Sequence, residues 1–309
     1  MNALILSAGF GTRLKPLTDF IPKPLVPIAG KPLLSVIAEP LLACGFNKIA
    51  FNLHHLPEKI KKYVVDNIPC PTEFMYEEQI LGTGESIARF SDISCKKDFF
   101  LVYNGDIVSN IGITALLEYH THFDSDVTLA LVKGAADNVR LAPDGKIIDI
   151  RGELDSPQIG GLFTFSGIAV YNTSFATKMP RGKFYSVIDY IIEKMCKKDI
   201  TIRGFNADNV YWNDIGSANS YLKLHRDILL NKKFAPFGVE IPESGIIIDK
   251  TAIIENNVSI NGFTVIGKGS KIGKDSYLKN CIIMENTLIA PGSNIKNCIV
   301  GSGFMMNGE

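Results

Sequence analysis

The chain has 309 residues, of which 46% are hydrophobic and 21% are charged. Basic and acidic side chains balance to a net charge of zero, which argues against nucleic acid as a partner. There is no basic leader and no run of about 18 apolar residues, so we expect a cytoplasmic protein without membrane contact. The six cysteines form no Cys-x-x-Cys pair, and we expect buried thiols rather than disulfides or metal ligands.

The first element is an apolar run at residues 3–6, which predicts a buried strand leading into a loop with Gly9 and Gly11. Glycine lacks a Cβ, so the backbone can turn sharply and direct N–H groups at an anion. Arg13 and Lys23 add two cations, and a proline on each side restricts the backbone of Lys23. The spacing fits neither a Walker loop nor a Rossmann fingerprint. For the glycines alone, a tight strand-to-helix turn is the alternative to a phosphate site.

The next segments alternate helices with strands. We predict helices at 31–44, 58–66, from 86 onwards and at 184–195, the end of a helix at 116–122, and a further helix from about 218. Strands are predicted at 48–53, 72–76, 98–106, 127–132 and 163–171, with a hairpin turn at 144–145. This alternation predicts an α/β fold, with a Rossmann-like mixed, mostly parallel sheet, flanking helices and ligands at the carboxyl ends of the strands.

A carboxylate follows the buried strand predicted from residue 98, in the sequence Asn104-Gly105-Asp106. If this strand is a neighbour of the first one, Asp106 lies over the opening loop. Mg2+ prefers oxygen ligands and usually takes one or two carboxylates together with substrate phosphates. Asp106 is therefore a candidate metal ligand, and a turn without chemistry is the alternative.

The string from Ala8 to Pro24 resembles the signature loop of the sugar-1-phosphate nucleotidylyltransferases, also called NDP-sugar pyrophosphorylases. Residues 212–217 are similar to the Trp-x-Asp-x-Gly-Thr segment of that family. The resemblance implies an enzyme that joins an NTP and a sugar 1-phosphate, with Mg2+, to give an NDP-sugar and pyrophosphate. It implies a place in nucleotide-sugar biosynthesis, with cell-envelope polysaccharide as the destination.

The resemblance also implies roles for single residues. Arg13 and Lys23 are the expected catalytic cations, and Asp106 and Asp214 the expected ligands of Mg2+; a helix-start role is the alternative for Asp214. Nucleotide binding is implied for a set spread over two segments, namely Leu6, Ala8, Gly9, Gly11, Thr12, Glu77, Gly82 and Thr83. Sugar binding is implied for Asn104 and Gly167.

Glu77 stands five residues before Gly82, which is the base-reading position of the family. A carboxylate only accepts hydrogen bonds, so it suits the N1–H and N2–H2 edge of guanine or the N3–H of a uracil-type base. The alternative is an exposed acid at a strand end. Glu77 and the tail resemble mannose-1-phosphate guanylyltransferases, whereas residues 164–168 and the lack of a Glu-Lys-Pro motif near Arg151 resemble N-acetylmuramate 1-phosphate uridylyltransferases. Arg151 could replace the missing lysine.

From Ile248 an aliphatic residue recurs every six residues, and Met284 begins the seventh matching hexad. This hexapeptide pattern predicts a short left-handed β-helix. We therefore divide the chain into a catalytic domain at 1–232 and a β-helix tail at 233–309. No histidine follows His225 to serve as an acyltransferase base, so we expect the tail to serve regulation or assembly, including a homo-oligomer.

Two other functions compete with the enzyme. One is a catalytically silent subunit that binds an NDP-sugar and regulates an active paralogue, which the intact set of glycines, cations and acids disfavours. The other is a cytidylyltransferase for a small phosphorylated alcohol such as phosphocholine. That activity calls for an aromatic or acidic cage around the cationic head, which no segment of the sequence supplies.

Overall fold

The computed structural model describes residues 1–94, 98–134, 136–155 and 157–308. Cys95, one of the predicted buried thiols, lies outside this part. Cys281 and Cys298 are free and buried, Cys44 and Cys70 are free and half-buried, and Cys196 is free and exposed. Among the described residues, none of the helices combines the length and the apolar character needed to cross a membrane.

The helices and strands alternate over the first two thirds of the chain, and short strands fill the rest. In chain order the strands are β1 Asn2–Leu6, β2 Pro27–Ile28, β3 Lys31–Pro32, β4 Lys48–Leu53, β5 Thr72–Tyr76, β6 Phe99–Asn104, β7 Ile107–Ser109, β8 Val127–Val132, β9 Val139–Leu141, β10 Ile147–Ile150, β11 Gly161–Asn172, β12 Ile202–Asn206, β13 Trp212–Asp214, β14 Ile246–Ile248, β15 Ile253–Ile254, β16 Ser259–Asn261, β17 Thr264–Ile266, β18 Lys271–Ile272, β19 Tyr277–Lys279, β20 Ile282–Ile283, β21 Leu288–Ile289, β22 Asn294–Lys296, β23 Cys298–Gly301 and β24 Phe304–Asn307. The α-helices are α1 Leu17–Phe20, α2 Leu33–Ala43, α3 Pro57–Asn67, α4 Gly82–Ile93, α5 Ile113–Phe123, α6 Thr173–Ala176, α7 Val187–Cys196 and α8 Ala218–Leu229, and 3-10 turns lie at Thr12–Leu14 and Lys23–Leu25.

The chain divides into two compact units. The first unit comprises Met1–Gly9 and Ile37–Trp212, and the second comprises Phe10–Val36 and Asn213–Glu309. The first unit is built on a mixed sheet in the order β10-β9-β11-β6-β1-β4-β5, with β8 and β12 branching from β11. The strands β6, β1, β4 and β5 run parallel, as predicted, so their carboxyl ends meet at one edge.

The second unit contains the β-helix. Its strands form three stacked ladders, β14-β17-β20-β23-β24, β15-β18-β21 and β16-β19-β22, and all pairs are parallel except the last pair of the first ladder. The inward side chains of the ladders form a separate apolar core that includes Ile266, Ile272 and Leu278. The predicted α/β fold with a β-helix tail is therefore confirmed.

Four helices start at residues other than those predicted, and one of them, α3, begins at Pro57, one residue early. Helix α2 begins at Leu33 because residues 31–32 form the short strand β3 instead. Helix α4 begins at Gly82, four residues before the predicted start, and α7 begins at Val187 because Ser186 caps its N-terminus. On α3 the side chain of Val64 faces the core, whereas that of its neighbour Val65 is exposed.

The predicted register of the hexads fails at the last repeat. Ile248 pairs with Ile266, but Ile266 pairs with Ile283, one residue earlier than the predicted Met284. The shorter repeat turns its corner at Asn280, which adopts a left-handed conformation with φ of 56°. As a result Ile283 enters the inward column, and Leu288 is exposed rather than inward.

Candidate active site

The opening loop of the first unit is tied to the neighbouring strand at the carboxyl edge of the sheet. Strand β1 ends at Leu6, and the next backbone N–H, at Ser7, donates to the side-chain oxygen of Asn52 on β4 at 2.5 Å. Ser7, Ala8 and Asn52 are buried, whereas Gly9 is exposed. The loop therefore leaves the sheet from a fixed point and presents Gly9 to solvent.

Asp106 follows the strand next to β1, as the sequence predicted. Strand β6 lies parallel to β1 with Asn104 opposite Leu6, and the N–H of Gly105 donates to the carbonyl of Leu6 at 2.9 Å. A Cβ on Gly105 would lie 2.4 Å from that carbonyl oxygen, so the close approach requires glycine. Asp106 is half-buried directly after this contact. Its role as a metal ligand stays a prediction.

Four of the predicted substrate residues meet in one cavity of the first unit. The cavity has a volume of about 190 Å³, and its lining includes Leu6, Thr83, Asn104 and Gly167, together with the aromatic Phe165. Gly167 lies in an irregular stretch of β11 with φ of +82°, and a Cβ there would lie 2.8 Å from the side-chain nitrogen of Asn104. The two predicted sugar-binding residues are therefore direct neighbours.

The only tryptophan of the chain holds this irregular stretch of β11. The indole N–H of Trp212 donates to the carbonyl of Ser166 at 2.8 Å, one residue before Gly167. The Trp-x-Asp segment of the sequence thus has a structural function in the first unit. It fixes the backbone next to Gly167.

The Leu-Gly-Thr segment contacts the loop before α7. A Cβ on Gly82 would lie 2.3 Å from the carbonyl oxygen of Tyr185, and one on Gly84 would lie 2.0 Å from the ring of Tyr185. The hydroxyl of Thr83 accepts a hydrogen bond from the N–H of Val187 at 3.0 Å. Glycine is therefore required at both positions because any side chain would overlap Tyr185, a packing constraint that the sequence alone did not indicate.

Glu77 is buried, with 7% of its surface exposed, which excludes the alternative of an exposed acid at a strand end. Its Oε1 accepts hydrogen bonds from the amide of Asn52 at 2.9 Å and from the hydroxyl of Ser86 at 2.6 Å. Its Oε2 is buried and has no hydrogen-bond partner among the described residues. One oxygen of the carboxylate is thus anchored, and the other retains its capacity to accept.

In the second unit, the cations predicted to hold phosphate lie on two 3-10 turns. Gly11 has φ of +64°, and a Cβ there would lie 2.8 Å from the methyl group of Thr18 and 3.4 Å from the Cβ of Lys23. The hydroxyl of Thr18 donates to the carbonyl of Gly11 at 2.9 Å. Lys23 is buried, with 9% of its surface exposed, while Thr12 is exposed. Close packing at Gly11 therefore fixes the backbone that carries Lys23.

Arg13 and Asp214 form an ion pair within the second unit, with 3.9 Å between the guanidinium and the carboxylate. The Arg13 side chain is 69% exposed, so the pair contributes little to stability and both groups remain accessible to ligands. The guanidinium lies over Gly216, where a Cβ would come within 2.7 Å of it. Ser217, not Asp214, caps α8, so the helix-start alternative for Asp214 is wrong.

Sequence reasoning missed three residues at the carboxyl edge: Asn52, Ser86 and Tyr185. Each contacts a residue that the motifs identified, but none belongs to a motif itself. The one available signal was the position of Asn52, a polar residue near the end of an otherwise apolar strand. A buried amide in such a strand must be hydrogen-bonded, so it predicts a nearby polar group.

Two protein families match separate parts of this chain. The family described as nucleotidyl transferase matches residues 2–140, and the one described as GMPPB C-terminal domain matches residues 243–307. Mannose-1-phosphate guanylyltransferase of Mycobacterium tuberculosis is 27% identical over 96% of this chain and 83% of that protein. The bifunctional protein GlmU of Methanococcus maripaludis strain C5 is 31% identical over 97% of this chain and 73% of that protein.

A solved structure resembles the fold. HddC from Yersinia pseudotuberculosis, in complex with GMP-PN, superposes with a TM-score of 0.58 at 26% identity, over 72% of this chain and 97% of that one. The fold and the loop define a nucleotidyl transferase. The chain belongs to the sugar-1-phosphate nucleotidylyltransferases and is an enzyme of that family.

Proposed function

We propose that the enzyme transfers guanylyl from GTP to mannose 1-phosphate. A phosphate oxygen of the sugar attacks the α-phosphorus, the bond from that phosphorus to the bridging oxygen breaks, and pyrophosphate leaves. No covalent intermediate is required. Catalysis then consists of aligning two anions and stabilising the charge that moves onto the leaving group.

The carboxylate of Glu77 is the observation that carries the choice of base. Guanine presents two adjacent donors, N1–H and N2–H2, to an acceptor-only group. Uracil presents one donor, N3–H, between two carbonyl oxygens that would repel a carboxylate. Oε1 of Glu77 already accepts from Asn52 and Ser86, so Oε2 is the atom available to the donors of a base.

The relatives support the same substrates. The Mycobacterium tuberculosis protein is named for mannose 1-phosphate and the guanylyl group, and it matches nearly the whole chain. The HddC structure holds a guanine nucleotide analogue. The C-terminal match is to the domain of a protein abbreviated GMPPB, which covers the β-helix.

Asp106 and Asp214 are the proposed ligands of Mg2+. Both are carboxylates and neither is fully buried, so both fit a hard cation that also takes phosphate oxygens. Among residues 1–94, 98–134, 136–155 and 157–308, no group of three or more His, Cys, Asp and Glu side chains could hold a metal. Bound Mg2+ would neutralise phosphate charge.

Arg13 and Lys23 are the proposed catalytic cations. Arg13 is exposed and offers a planar fork for the leaving pyrophosphate. Lys23 is held by the packing of Gly11 and would contact the phosphates around the reacting phosphorus. Removing either cation should raise the barrier by roughly 2.7 to 4 kcal/mol, the scale of one transition-state donor.

An N-acetylmuramate-1-phosphate uridylyltransferase is the second candidate. It is favoured by the missing Glu-Lys-Pro motif, with Arg151 as the proposed replacement for that lysine. The guanidinium of Arg151 donates to Asp189 at 2.8 Å and lies 3.9 Å from Glu153, and its side chain is 42% exposed, so a sugar phosphate would compete with two surface carboxylates for it.

The experiment is pyrophosphate release by the purified chain with Mg2+. GTP, UTP, dTTP, CTP and ATP are crossed with mannose, glucose, N-acetylglucosamine and N-acetylmuramate 1-phosphates and with phosphocholine. Release with GTP and mannose 1-phosphate is the expected result. Release with UTP and N-acetylmuramate 1-phosphate alone would favour the second candidate, and release with CTP and phosphocholine alone would refute both.

A further inference from the structure

Asn52 connects the opening loop to the carboxylate of Glu77. Its Oδ1 accepts from the backbone N–H of Ser7 at 2.5 Å, so the amide can only turn its nitrogen toward Glu77. That nitrogen donates to Glu77 Oε1 at 2.9 Å and to the hydroxyl of Ser86 at 3.1 Å. One buried side chain thus fixes the distance between the start of the loop and the carboxylate.

Ser86 completes the arrangement from helix α4. Its hydroxyl accepts from Asn52 and donates to Glu77 Oε1 at 2.6 Å, while its contact with the carbonyl of Gly82 is longer, at 3.3 Å. Ser86 is 1% exposed and Asn52 is 5% exposed, so water does not compete for these bonds. Two donors on one carboxylate oxygen fix the rotation of the carboxylate.

We propose that Asn52 and Ser86 are positioning residues that fix the rotation of the Glu77 carboxylate and direct Oε2 toward the nucleobase. This inference rests on the proposed function, because it assigns the base-reading role to Glu77. It goes further by naming the groups on which guanine selectivity depends. It also explains why Oε2 is buried without a hydrogen-bond partner in the described part of the chain, since a base would supply the donors.

A change at Asn52 or Ser86 should therefore alter the preference for GTP over UTP even though Glu77 itself is unchanged. Without the Ser86 hydroxyl, Glu77 can rotate and Oε1 loses one of its two donors. The affinity for GTP should then fall about tenfold, which corresponds to about 1.4 kcal/mol. The affinity for UTP should hardly change, because uracil offers only one donor to the site.

The test is isothermal titration calorimetry of the full-length chain with GTP and with UTP. Ser86→Ala and Asn52→Asp are each compared with the wild type; Asn52→Asp keeps the acceptor for Ser7 but removes the donor to Glu77. The same Ser86→Ala change is also made in a Glu77→Gln background. Ser91→Ala is the matched control, because Ser91 is buried on the same helix and bonds to Ala88 instead of Glu77. Thermal melting checks that each variant folds.

The expected result is a GTP-to-UTP affinity ratio that falls about tenfold in Ser86→Ala and in Asn52→Asp, but not in Ser91→Ala. In the Glu77→Gln background the Ser86→Ala change should leave the ratio unaltered. If the preference for GTP persists in both Ser86→Ala and Asn52→Asp, the positioning role is wrong, while the proposed base specificity stands. Equal wild-type affinities for GTP and UTP would overturn the proposed base specificity and the inference with it.

Discussion

The buried His225 of α8 makes stability depend on pH in a defined direction. Its Nε2 accepts from the N–H of Ala29 at 3.1 Å, and its Nδ1 donates to the carbonyl of Tyr221 at 3.0 Å. Burial lowers the pKa of His225 from 6.5 to about 4, and the hydrogen bond to Tyr221 only partly opposes this effect. A proton on Nε2 would face the N–H of Ala29 and break that bond.

The direction in which stability changes with pH follows from proton uptake by the unfolded chain. Between pH 6.5 and about 4 the unfolded chain binds a proton at His225 that the folded chain does not, so the free energy of unfolding falls as pH falls. Over the whole interval the loss is about 3 kcal/mol, at 1.36 kcal/mol for each pKa unit. Above pH 6.5 both states are neutral at this residue, and its contribution is constant.

Urea unfolding of the wild type and His225→Gln, measured from pH 4.5 to 7.5, tests this reasoning. Carboxylates titrate in both proteins, so the difference between their unfolding free energies isolates His225. The advantage of the wild type should shrink by roughly 2 to 3 kcal/mol between pH 7.5 and 4.5. A difference that stays constant with pH would refute the reasoning.

Two further predictions concern the proposed site. Gly9→Ala should leave the melting temperature unchanged, because nothing lies within 4 Å of the added Cβ, but it should weaken GTP binding measured by calorimetry. Gly11→Ala should lower the melting temperature, because the φ of Gly11 is +64° and the added Cβ would lie 2.8 Å from the methyl group of Thr18. Equal melting temperatures for the two variants would contradict this packing. Asp106→Asn and Asp214→Asn should each lower kcat at least a hundredfold, on the scale of roughly 2.7 kcal/mol for one lost transition-state contact, and raise the Mg2+ concentration for half-maximal rate. A full rate with an unchanged Mg2+ dependence in both would exclude the two carboxylates as ligands.

The fold was predictable where the sequence signal is local. The strands at 48–53, 72–76 and 127–132 match the predictions to the residue, because each is a short run of mainly apolar residues flanked by polar residues or turns. The start of helix α4 was predicted too late because glycines such as Gly82 and Gly84 normally disfavour a helix. Their close contact with Tyr185 explains why glycine stands at both positions. The predicted register of the last hexad was wrong because residues 282–284 are all apolar, so the sequence does not indicate which of them faces inward. The pairing of the strands determines it.

The site was predictable as far as motifs reach. The resemblance named both Asn104 and Gly167, and they are neighbours in one cavity, although β6 and β11, the paired strands that carry them, are far apart in the sequence. Asn52 and Ser86 could not be identified in this way. Asparagine and serine are common in strands and helices, so neither residue stands out in the sequence. Their hydrogen bonds to Glu77 depend on how β4, α4 and the end of β5 meet at the edge of the sheet.

The most direct measurement is the rate of pyrophosphate release with Mg2+ and mannose 1-phosphate, with GTP or UTP as the nucleotide. Turnover with GTP should exceed turnover with UTP at least tenfold, and Glu77→Gln should abolish that preference. Comparable rates with GTP and UTP, or a preference for GTP that Glu77→Gln leaves intact, would contradict the proposed guanylyltransferase and the role of Glu77 in it.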